Sequence, residues 1–564
     1  MISPYPLLAS RLSPGVRVRT HSERDGGFEV RSEVTWPTIP AMVRDAARRF
    51  GDAEAVVDGD RRVGFTALTA MVSDTARALI ASGIEPGHRV AVWAPNSLEW
   101  LVAALGITTA GGVLVPVNTR FKGAEAGYVL ARSGARALFT VRGFLGTDYP
   151  TLLAESGVPL PDLAHTILLA GEPGGGPVAG EEFLARGAAV AEEDLDARLA
   201  ALGPDDPSDV VFTSGTTGNP KGVVMAHGQG LRAYLDWCDW AGLEQGDRYL
   251  IVNPFFHIFG YKAGCLASLM RGATIFPLAV FDVAVVLDLV QRERITVLPG
   301  APTIYQSILD FPDRAAYDIS SLRLAVTGAA DIPVDLIRRV REELPFEKIV
   351  TGYGLTEAGT VTGSAPGDDF EHIATTVGVP WAGFAVRTVD ATGADAPVGE
   401  PGEVIVRGET VMRGDLDDPE ATAAAIDADG FLHTGDLGTL DAHGYLRIVG
   451  RIKDMFIVGG FNAYPAEIEH LLLRHPAVAQ AAVIGVPDER LGEVGMAFLV
   501  LAPGAAVTGD EIVEWSRAAM ANFKAPRRVE FLDELPVNAT GKVVKDELRQ
   551  RAKGGTDDME TSAR

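Results

Sequence analysis

The chain has 564 residues, which exceeds one typical domain and can bury large cores, so two or more domains are expected. The composition, 47% hydrophobic and 22% charged, is that of a globular protein, and no stretch offers the roughly 18 uninterrupted apolar residues of a membrane span. The net charge of −25 argues against a nucleic-acid partner. Two cysteines, Cys238 and Cys265, provide neither a disulfide framework nor a structural metal site. No signal-peptide pattern opens the chain, so a reducing, cytoplasmic location is expected.

The first part of the chain predicts an α/β fold. Residues 1 to about 35 are rich in proline, glycine and charge and are predicted to be an N-terminal extension. From residue 36 to about 450, apolar segments alternate with helical patterns, which indicates helices packed on largely parallel sheets. Residues 101–117 are predicted to be a buried helix and strand, and residues 171–183 a surface loop. Several predicted strands run into Gly/Thr/Pro loops, where open α/β sheets place ligands.

The pattern changes near residue 450, where about 95 residues of compact β/α pattern begin. Pro465 suits the first turn of a helix whose residues Ile468, Leu471 and Leu472 share one face. Strands are predicted at residues 478–486, 497–501 and 528–532. We therefore predict a large N-terminal domain at 36–450, a connecting segment at 451–454, a small α+β domain at 455–550 and a polar tail at 551–564.

The segment TSGTTGNPKG, residues 213–222, follows an apolar run and combines glycines, hydroxyl groups and a lysine. Glycines let backbone N–H groups approach a phosphate, hydroxyls add donors, and Lys221 adds a positive charge. The segment lacks the GxxxxGK[ST] pattern of P-loop NTPases, and Ser214 is not in a GxSxG nucleophile elbow. A flexible turn is the alternative, but the density of donors favours a phosphate-binding loop.

Eight motifs follow one another along the chain: TSGTTGNPKG (213–222), NPFFHIFG (253–260), TGAA (327–330), TGYGLTE (351–357), HTGD (433–436), GRIKD (450–454), GGFNAYPAEIE (459–469) and NATGKVVK (538–545). Together they resemble the adenylate-forming superfamily of acyl-CoA synthetases, luciferases and peptide-synthetase adenylation domains, and the resemblance covers about residues 36 to 550. It implies the adenylate-forming fold and ATP-dependent joining of a carboxylic acid to coenzyme A through an acyl-adenylate. AMP and pyrophosphate would be released, and Mg²⁺ would assist.

The resemblance also implies the residues that bind the nucleotide and coenzyme A. They are Thr213, Ser214, Gly215, Thr216, Thr217, Gly218, Lys221, Gly328, Ala329, Ala330, Tyr353, Gly354, Asp436, Arg451, Gly459, Gly460 and Phe461. Among them, Asp436 would accept hydrogen bonds from the ribose hydroxyls. Glu357 and Thr217 would hold Mg²⁺, and Thr356 would contact phosphate. Without the resemblance, Glu357 would be interpreted as a solvated or helix-capping residue and Asp436 as a turn residue.

Three further positions carry implied roles in catalysis and domain movement. Lys542 matches the lysine that, in the family, bridges the carboxylate and the α-phosphate during adenylation. Lys453 matches the hinge position, where many members have aspartate. His257 could gate the acyl site or assist the thiol, and a hydrogen-bonded wall histidine is the alternative. Whether Lys542 is regulated by acetylation stays open.

The motif NPFFHIFG indicates the class of acid. Phe255, Phe256 and Phe259, with Gly260 and Tyr261, are predicted to form the acyl site, and no carboxylate is present to bind an amino group. An α-amino acid is therefore disfavoured, although a phenylalanine-rich run also suits a plain core.

Two longer stretches, NPFFHIFGYKAG and ITVLPGAPTIYQSIL, resemble actinobacterial ligases that activate the propionate side chain of a steroid C/D-ring remnant. Medium- and long-chain fatty acids are the alternative. Tyr261, Lys262 and Cys265 could shape a wide pocket, with a solvent-facing Lys262 as the other interpretation.

Two functions compete with a CoA ligase. One is an enzyme that loads a separate carrier protein or passes the acyl group to oxygen, and the other is a non-catalytic nucleotide-binding protein. The second is disfavoured because every expected catalytic position is filled. The partner is expected to be a small-molecule acid, with a homo-oligomer possible and the oligomeric state left open.

Overall fold

The structure is a computed structural model that describes residues 31–172, 174–213, 220–328, 334–459, 461–488, 490–538 and 542–561. Several predicted site residues lie outside these ranges, namely Ser214, Gly215, Thr216, Thr217, Gly218, Ala329, Ala330 and Gly460. Among the helices in these ranges, none is long and apolar enough to cross a bilayer.

Helices and strands alternate along much of the chain. The strands are β1 Glu54–Asp58, β2 Arg61–Gly64, β3 Arg89–Trp93, β4 Val113–Pro116, β5 Ala137–Phe144, β6 Thr147–Asp148, β7 His165–Ala170, β8 Val178–Ala179, β9 Pro207–Thr213, β10 Lys221–Ala226, β11 Arg248–Ile251, β12 Thr274–Pro277, β13 Leu324–Gly328, β14 Lys348–Leu355, β15 Gly359–Gly363, β16 Val379–Pro380, β17 Phe384–Val389, β18 Gly402–Gly408, β19 Gly414–Asp415, β20 Leu432–Leu440, β21 Leu446–Arg451, β22 Phe456–Val458, β23 Phe461–Ala463, β24 Val478–Asp488, β25 Gly492–Leu501 and β26 Arg528–Phe531. The α-helices are α1 Ile39–Phe50, α2 Phe65–Ala81, α3 Leu98–Thr109, α4 Gly123–Ser133, α5 Tyr149–Glu155, α6 Gly180–Ala185, α7 Glu192–Ala200, α8 His227–Ala241, α9 Ala267–Arg271, α10 Val283–Glu293, α11 Pro302–Leu309, α12 Val334–Glu343, α13 Phe370–Thr375, α14 Pro419–Ala425, α15 Pro465–Leu472, α16 Gly509–Ala519 and α17 Lys545–Thr561. A π-helix spans Phe259–Leu266, and a 3₁₀ turn spans Ile452–Asp454.

Three sheets form the large domain. The first has the order β19-β10-β9-β4-β3-β5-β7-β8, with β6 beside β5, and its strands from β9 to β8 run parallel. The second joins β2-β1-β12-β11 to β13-β14-β15-β16 through Val297, which bridges Tyr249 and Leu324. The third, β17-β18-β20-β21, is antiparallel throughout. Largely parallel pairing therefore describes the first two sheets but not the third, in which every pair of neighbouring strands is antiparallel.

The apolar segments of the large domain are covered on both faces. In β3 the run from Val90 to Trp93 is fully buried, because helices cover both sides of a parallel sheet. Helix α3 is buried along nearly its whole length and leads into the buried strand β4. The predicted helix and strand at 101–117 are thus confirmed.

The small domain has its own core. Its sheet has the order β23-β22-β25-β24, with β26 beside β25. Helix α15 begins at Pro465, and Ile468 and Leu472 pack against Phe456 in a separate apolar cluster. The predicted helix and the three predicted strands of this region are therefore confirmed as α15, β24, β25 and β26.

Two segments contain more regular structure than the sequence indicated. The predicted loop at 171–183 includes β8 and the start of α6, because Phe183 packs edge-on against Phe139 at 5.4 Å and anchors a helical turn. Helix α17 extends to Thr561, into the segment predicted as a polar tail. Of the predicted N-terminal extension, residues 31–35 are described, and Arg31 pairs with Asp236 of α8 at 2.6 Å.

A buried asparagine connects the first two sheets. The Asn96 amide, in the loop between β3 and α3, donates to the carbonyls of Asn253 at 2.9 Å and Leu278 at 3.1 Å. Its Oδ1 accepts the N–H of Phe255 at 2.7 Å. One side chain therefore satisfies backbone groups at the ends of β11 and β12, and it fixes the start of the NPFFHIFG segment.

Replacing this asparagine tests that connection. Asn96→Ala leaves the buried Phe255 N–H and two carbonyls without their partner, so we expect a loss of about 2–4 kcal/mol in the free energy of unfolding. Urea denaturation followed by tryptophan fluorescence measures it. Asn522→Ala, at an exposed asparagine of the small domain, is the control and should change stability by less than about 0.5 kcal/mol. An unchanged unfolding midpoint for Asn96→Ala would contradict this role.

Candidate active site

Three strands meet at one carboxylate. The Tyr353 hydroxyl, near the end of β14, donates to Asp436 Oδ2 at 2.5 Å. The Arg451 guanidinium lies 2.8 Å from Asp436 Oδ1, because Asp436 of β20 and Arg451 of β21 are register partners. Burial and then the Asp436 charge hold the pKa of Tyr353 well above its usual value, so the hydroxyl stays a donor. Each carboxylate oxygen keeps a lone pair for a further donor, as the predicted ribose contact requires.

The HTGD segment of β20 is held in place by a residue that the sequence did not single out. Glu403 of β18 accepts the Gly435 N–H at 3.2 Å and contacts His433 Nδ1 at 2.9 Å. Gly435 has φ of +68°, a conformation that favours glycine. Thr434 donates its hydroxyl to the Val404 carbonyl at 2.7 Å. These contacts fix the direction in which Asp436 leaves β20.

Lys542 of the small domain reaches this cluster. The pKa of Lys542 is lowered by the protein that surrounds it and then by the Arg451 charge, while Asp436 and Glu357 oppose that shift. Residue Lys542 is nevertheless exposed to water. The predicted lysine, which belongs to the small domain, therefore lies within electrostatic range of the predicted acidic residues Asp436 and Glu357. Beside it, the Arg120 guanidinium of the large domain donates to the Val537 carbonyl at 3.3 Å.

Glu357 lies in the same electrostatic neighbourhood. Burial raises the pKa of Glu357, the charges of Asp415 and Asp436 raise it further, and Arg451 opposes them. Its own carbonyl accepts the Met412 N–H at 2.7 Å, which fixes the turn after β14, and the half-buried Thr356 precedes it. Within the described ranges, no group of three or more His, Cys, Asp or Glu side chains forms a metal cage.

The phosphate-loop motif begins and ends on paired strands. Thr213, the last residue of β9, is the register partner of Lys221, the first residue of β10. Lys221 Nζ lies 3.9 Å from Asp415 Oδ2, and burial raises the pKa of Asp415 while Lys221 lowers it. Tyr128 donates its hydroxyl to the Pro220 carbonyl at 3.2 Å. Residues 214–219, between the two strands, are outside the described residues.

Paired glycines shape the predicted adenine site. Gly328 of β13 is the register partner of Gly352 of β14, and a Cβ on Gly328 would lie 3.0 Å from the Gly352 carbonyl oxygen. Neither strand therefore carries a side chain at this paired position. Gly354 is exposed beside Tyr353, and a Cβ there would lie 2.6 Å from the Gly359 carbonyl oxygen.

The NPFFHIFG segment divides into buried and half-buried residues. Phe256, His257 and Phe259 are half-buried, whereas Gly260 is buried. The backbone at Gly260 packs so tightly that a Cβ there would lie 2.2 Å from the Pro254 carbonyl oxygen. The Phe259 N–H donates to His257 Nδ1 at 3.2 Å, so the proton of the neutral ring is on Nε2. Burial and then the Lys542 charge lower the pKa of His257 to about 4, which keeps it neutral near pH 7.

The other residues predicted for the acyl site lie deeper. Phe255 and Tyr261 are 1% and 2% exposed and pack edge-on against Trp100 at 5.3 and 5.4 Å. These rings support the segment from the core side instead of forming its exposed wall, because they complete an aromatic cluster with α3. Lys262 does not face solvent either, since it is 1% exposed and pairs with Asp209. Cys265 is fully buried.

The predicted hinge and thiol-site residues lie on the small-domain side. Lys453 is exposed on the 3₁₀ turn between β21 and β22. Gly459 has φ of +57° and donates its N–H to the Leu491 carbonyl at 2.8 Å. Phe461 is 61% exposed and stacks on Phe523 at 5.1 Å. The Phe461 ring therefore stays largely exposed in this structure.

Comparisons with known proteins agree with this geometry. Residues 43–414 match the model of the AMP-binding enzyme family, and residues 467–542 match the model of the AMP-binding enzyme C-terminal domain. The chain is 50% identical, over 92% of its length and 99% of the relative's, to a 3-[(3aS,4S,7aS)-7a-methyl-1,5-dioxo-octahydro-1H-inden-4-yl]propanoyl:CoA ligase of Rhodococcus jostii. A ligase of the same description from Mycobacterium tuberculosis is also 50% identical, over 91% of this chain and 98% of its own.

A solved structure extends the likeness to a bound intermediate. The anthranilate CoA ligase AuaEII in complex with anthranoyl-AMP superposes with a TM-score of 0.84 at 29% identity, over 93% of this chain and 99% of its own. The match spans both domains of the adenylate-forming fold. Because the family model covers more than half of the chain and relatives at 50% identity cover nearly all of it, the chain belongs to the AMP-binding enzyme family, among its acyl-CoA synthetases.

Proposed function

We propose that the acid activated by this acyl-CoA ligase is a propionate side chain on a fused bicyclic steroid remnant. The observation that carries the proposal is the 50% identity, over nearly the whole chain, to two ligases described by such an acid. The half-buried, aromatic Phe256 and Phe259 beside His257 suit an apolar acyl group and offer no carboxylate for an amino group.

Adenylation is assigned to the cleft between the two domains. The substrate carboxylate attacks the α-phosphorus of ATP, the bond to the bridging oxygen of pyrophosphate breaks, and an acyl-adenylate forms. Lys542 supplies positive charge where the attacking and α-phosphate oxygens become crowded with negative charge. Asp436, aligned by Tyr353 and Arg451, orients the ribose, and positioning of this kind supplies much of the rate of phosphoryl chemistry.

Glu357 is the carboxylate that we propose for Mg²⁺. Mg²⁺ in phosphate sites takes one or two protein carboxylates and completes its shell with phosphate oxygens and water, so the single half-buried carboxylate of Glu357 fits the ion. The ion would neutralise phosphate charge when bound. Thr217, the second proposed ligand, lies outside the described residues. Burial already raises the pKa of Glu357, so a nearby cation would return that carboxyl to its charged form.

Thioester formation is assigned to a second arrangement of the domains. The thiolate of coenzyme A attacks the acyl carbon, and AMP leaves with the bonding electrons. The exposed Lys453 turn joins β21 to the small domain, and we propose it as the hinge. Gly459, Gly460 and Phe461 would then line the path of the thiol, which would give the exposed Phe461 ring a role.

Lys542→Ala should separate the two half-reactions. Loss of this charge removes stabilisation that is needed only while the adenylate forms, so we expect pyrophosphate exchange to fall by about 10²–10³. Thioester formation from a synthetic acyl-adenylate should stay within about twofold of the wild type. Lys122→Ala, at an exposed lysine of the large domain, is the control and should leave both steps unchanged. Equal losses in both half-reactions would refute the assignment.

Lys453→Pro should slow the thioester step selectively. Proline restricts the backbone rotation that a hinge must absorb, whereas Lys453→Ala removes the same side chain without that restriction. We expect the alanine variant to retain most thioester formation and the proline variant to lose at least about tenfold, with pyrophosphate exchange preserved in both. Rapid-quench measurement of acyl-CoA from preformed adenylate provides the readout. A proline variant with normal thioester formation would rule out the hinge.

A panel of acids tests the proposed substrate. Hexanoate, palmitate and a bicyclic ring propionate are each mixed with the protein, ATP and Mg²⁺, and AMP and acyl-CoA are measured with and without coenzyme A. We expect the ring propionate to have a kcat/KM at least about tenfold above both fatty acids, because pocket contacts with the rings add to transition-state binding. A preference for hexanoate or palmitate would overturn the proposal in favour of a fatty acyl-CoA ligase. Release of AMP only with a carrier protein would favour the carrier-loading alternative.

A further inference from the structure

A lysine and an aspartate are paired inside the large domain, away from solvent. Lys262 Nζ lies 2.7 Å from Asp209 Oδ1, and the two side chains are 2% and 1% exposed. Burying a charge is costly unless a partner and further hydrogen bonds compensate. The proposed adenylation step assigns no role to either residue.

The pair connects β9 to the π-helix, and each of these elements adjoins one of the motifs predicted to form the site. Asp209 is in β9, whose last residue Thr213 opens the phosphate-loop motif. Lys262 is in the π-helix Phe259–Leu266, which continues directly from His257 of the acyl segment. One buried charged contact therefore joins the two segments.

The carboxylate of this pair is itself fixed in orientation. The Ser208 hydroxyl lies 2.6 Å from Asp209 Oδ2 and 3.3 Å from the Met225 carbonyl of the neighbouring strand β10. Asp209 Oδ1, the oxygen nearest to Lys262, has no other partner among the described residues. The lysine thus meets an oxygen whose place is determined by the first sheet.

The surrounding ionisable groups are neutral. Burial raises the pKa of Tyr234 and of Tyr261, and Asp209 raises both further. Burial lowers the pKa of His227 to about 4. None of these three side chains therefore carries a positive charge that could replace Lys262 beside Asp209.

The π-helix depends on support of this kind. A π-helix is rare and has poorer hydrogen-bond geometry than an α-helix, so it persists where tertiary contacts impose it. Its first turn is tied to the acyl segment, because the Tyr261 N–H donates to the His257 carbonyl at 3.0 Å. Gly264 lies so close to β11 that a Cβ there would be 2.8 Å from Ile251. A displacement of Lys262 would consequently move the backbone of His257.

We propose that Lys262 and Asp209 are positioning residues for adenylation. Their ion pair sets the distance between the strand that leads into the phosphate-loop motif and the helix that follows His257, and so places the acid against the ATP phosphates. The proposal rests on the proposed function, because it presupposes that an acid is activated in this cleft. A buried ion pair adds little stability compared with an apolar pair of the same size, but it fixes distance and direction. Stability and catalysis should therefore respond differently when the pair is replaced.

The test compares single and double apolar replacements. Lys262→Met and Asp209→Leu each leave a buried charge without its partner, so both should lower Tm. The double variant removes both charges and should recover most of that Tm. Its pyrophosphate exchange should nevertheless show a KM for the acid raised at least about fivefold and a lower kcat, with the KM for ATP within about twofold of the wild type. A double variant with wild-type kcat and wild-type KM for the acid would overturn the proposal.

A matched control separates misplacement from general destabilisation. Arg323 pairs with Asp247 through its Nε at 2.8 Å, at the start of β13 and therefore at the end opposite to Gly328 and the cleft. Arg323→Met should lower Tm without changing the KM for the acid. An equal rise in that KM for the control would also overturn the proposal, because it would show that any loss of stability has the same effect.

Two further measurements keep the test decisive. If the double variant does not fold, Lys262→Arg keeps the charge but changes the geometry, and it should raise the KM for the acid with a small change in Tm; an unchanged KM would overturn the proposal. The acid used is the one that the wild type activates best. If none of the tested acids supports pyrophosphate exchange by the wild type, both the proposed function and the positioning role are refuted. If the wild type is active and the double variant is unaffected, the positioning role alone is refuted.

Discussion

The contact of the Asp436 carboxylate with Tyr353 and Arg451 is the interaction on which the arrangement of the site depends. It joins the end of β14 in the second sheet to the antiparallel β20 and β21 in the third. Arg451 is the last residue of β21, and the turn that leads to the small domain follows it directly. One carboxylate therefore fixes where two sheets meet and where the small domain starts. The contacts of Glu403 with Gly435 and His433 keep that carboxylate in place.

A chain with a net charge of −25 must bind polyphosphate through local cations and not through its overall field. The structure provides three such cations, and each has a carboxylate neighbour. Lys221 faces Asp415, Arg451 faces Asp436, and Lys542 is influenced by both Asp436 and Glu357. The paired carboxylates limit long-range attraction for other anions while leaving donors available at the cleft.

Local patterns in the sequence predicted much of this fold. Pro465 indicated the start of α15, and the run of small and apolar residues at 101–117 indicated a buried helix and strand. The family resemblance assigned both Asp436 and Arg451 to ligand binding, and the β20–β21 register brings them together. These features depend on neighbours in the chain, so a single sequence contains the signal for them.

Contacts between distant segments carried no such signal. Asn96 and Phe255 are far apart in the chain, and nothing in the residues around either one indicates their hydrogen bond. A lysine is rarely buried, so a solvent-facing Lys262 was a reasonable alternative until its partner in β9 was visible. Glu403 of β18 contacts residues of β20, so its role could have been predicted only by first predicting that these two strands pair. The antiparallel third sheet escaped prediction for a similar reason, since no local pattern indicates in which direction its strands pair.

The origin of Lys542 in the small domain has an electrostatic consequence. With the domains together, the cleft balances the positive charges of Lys221, Arg451 and Lys542 against the carboxylates of Asp415, Asp436 and Glu357. Withdrawal of the small domain would leave two cations facing three carboxylates. The balance of charge at this site therefore depends on a residue that the small domain contributes.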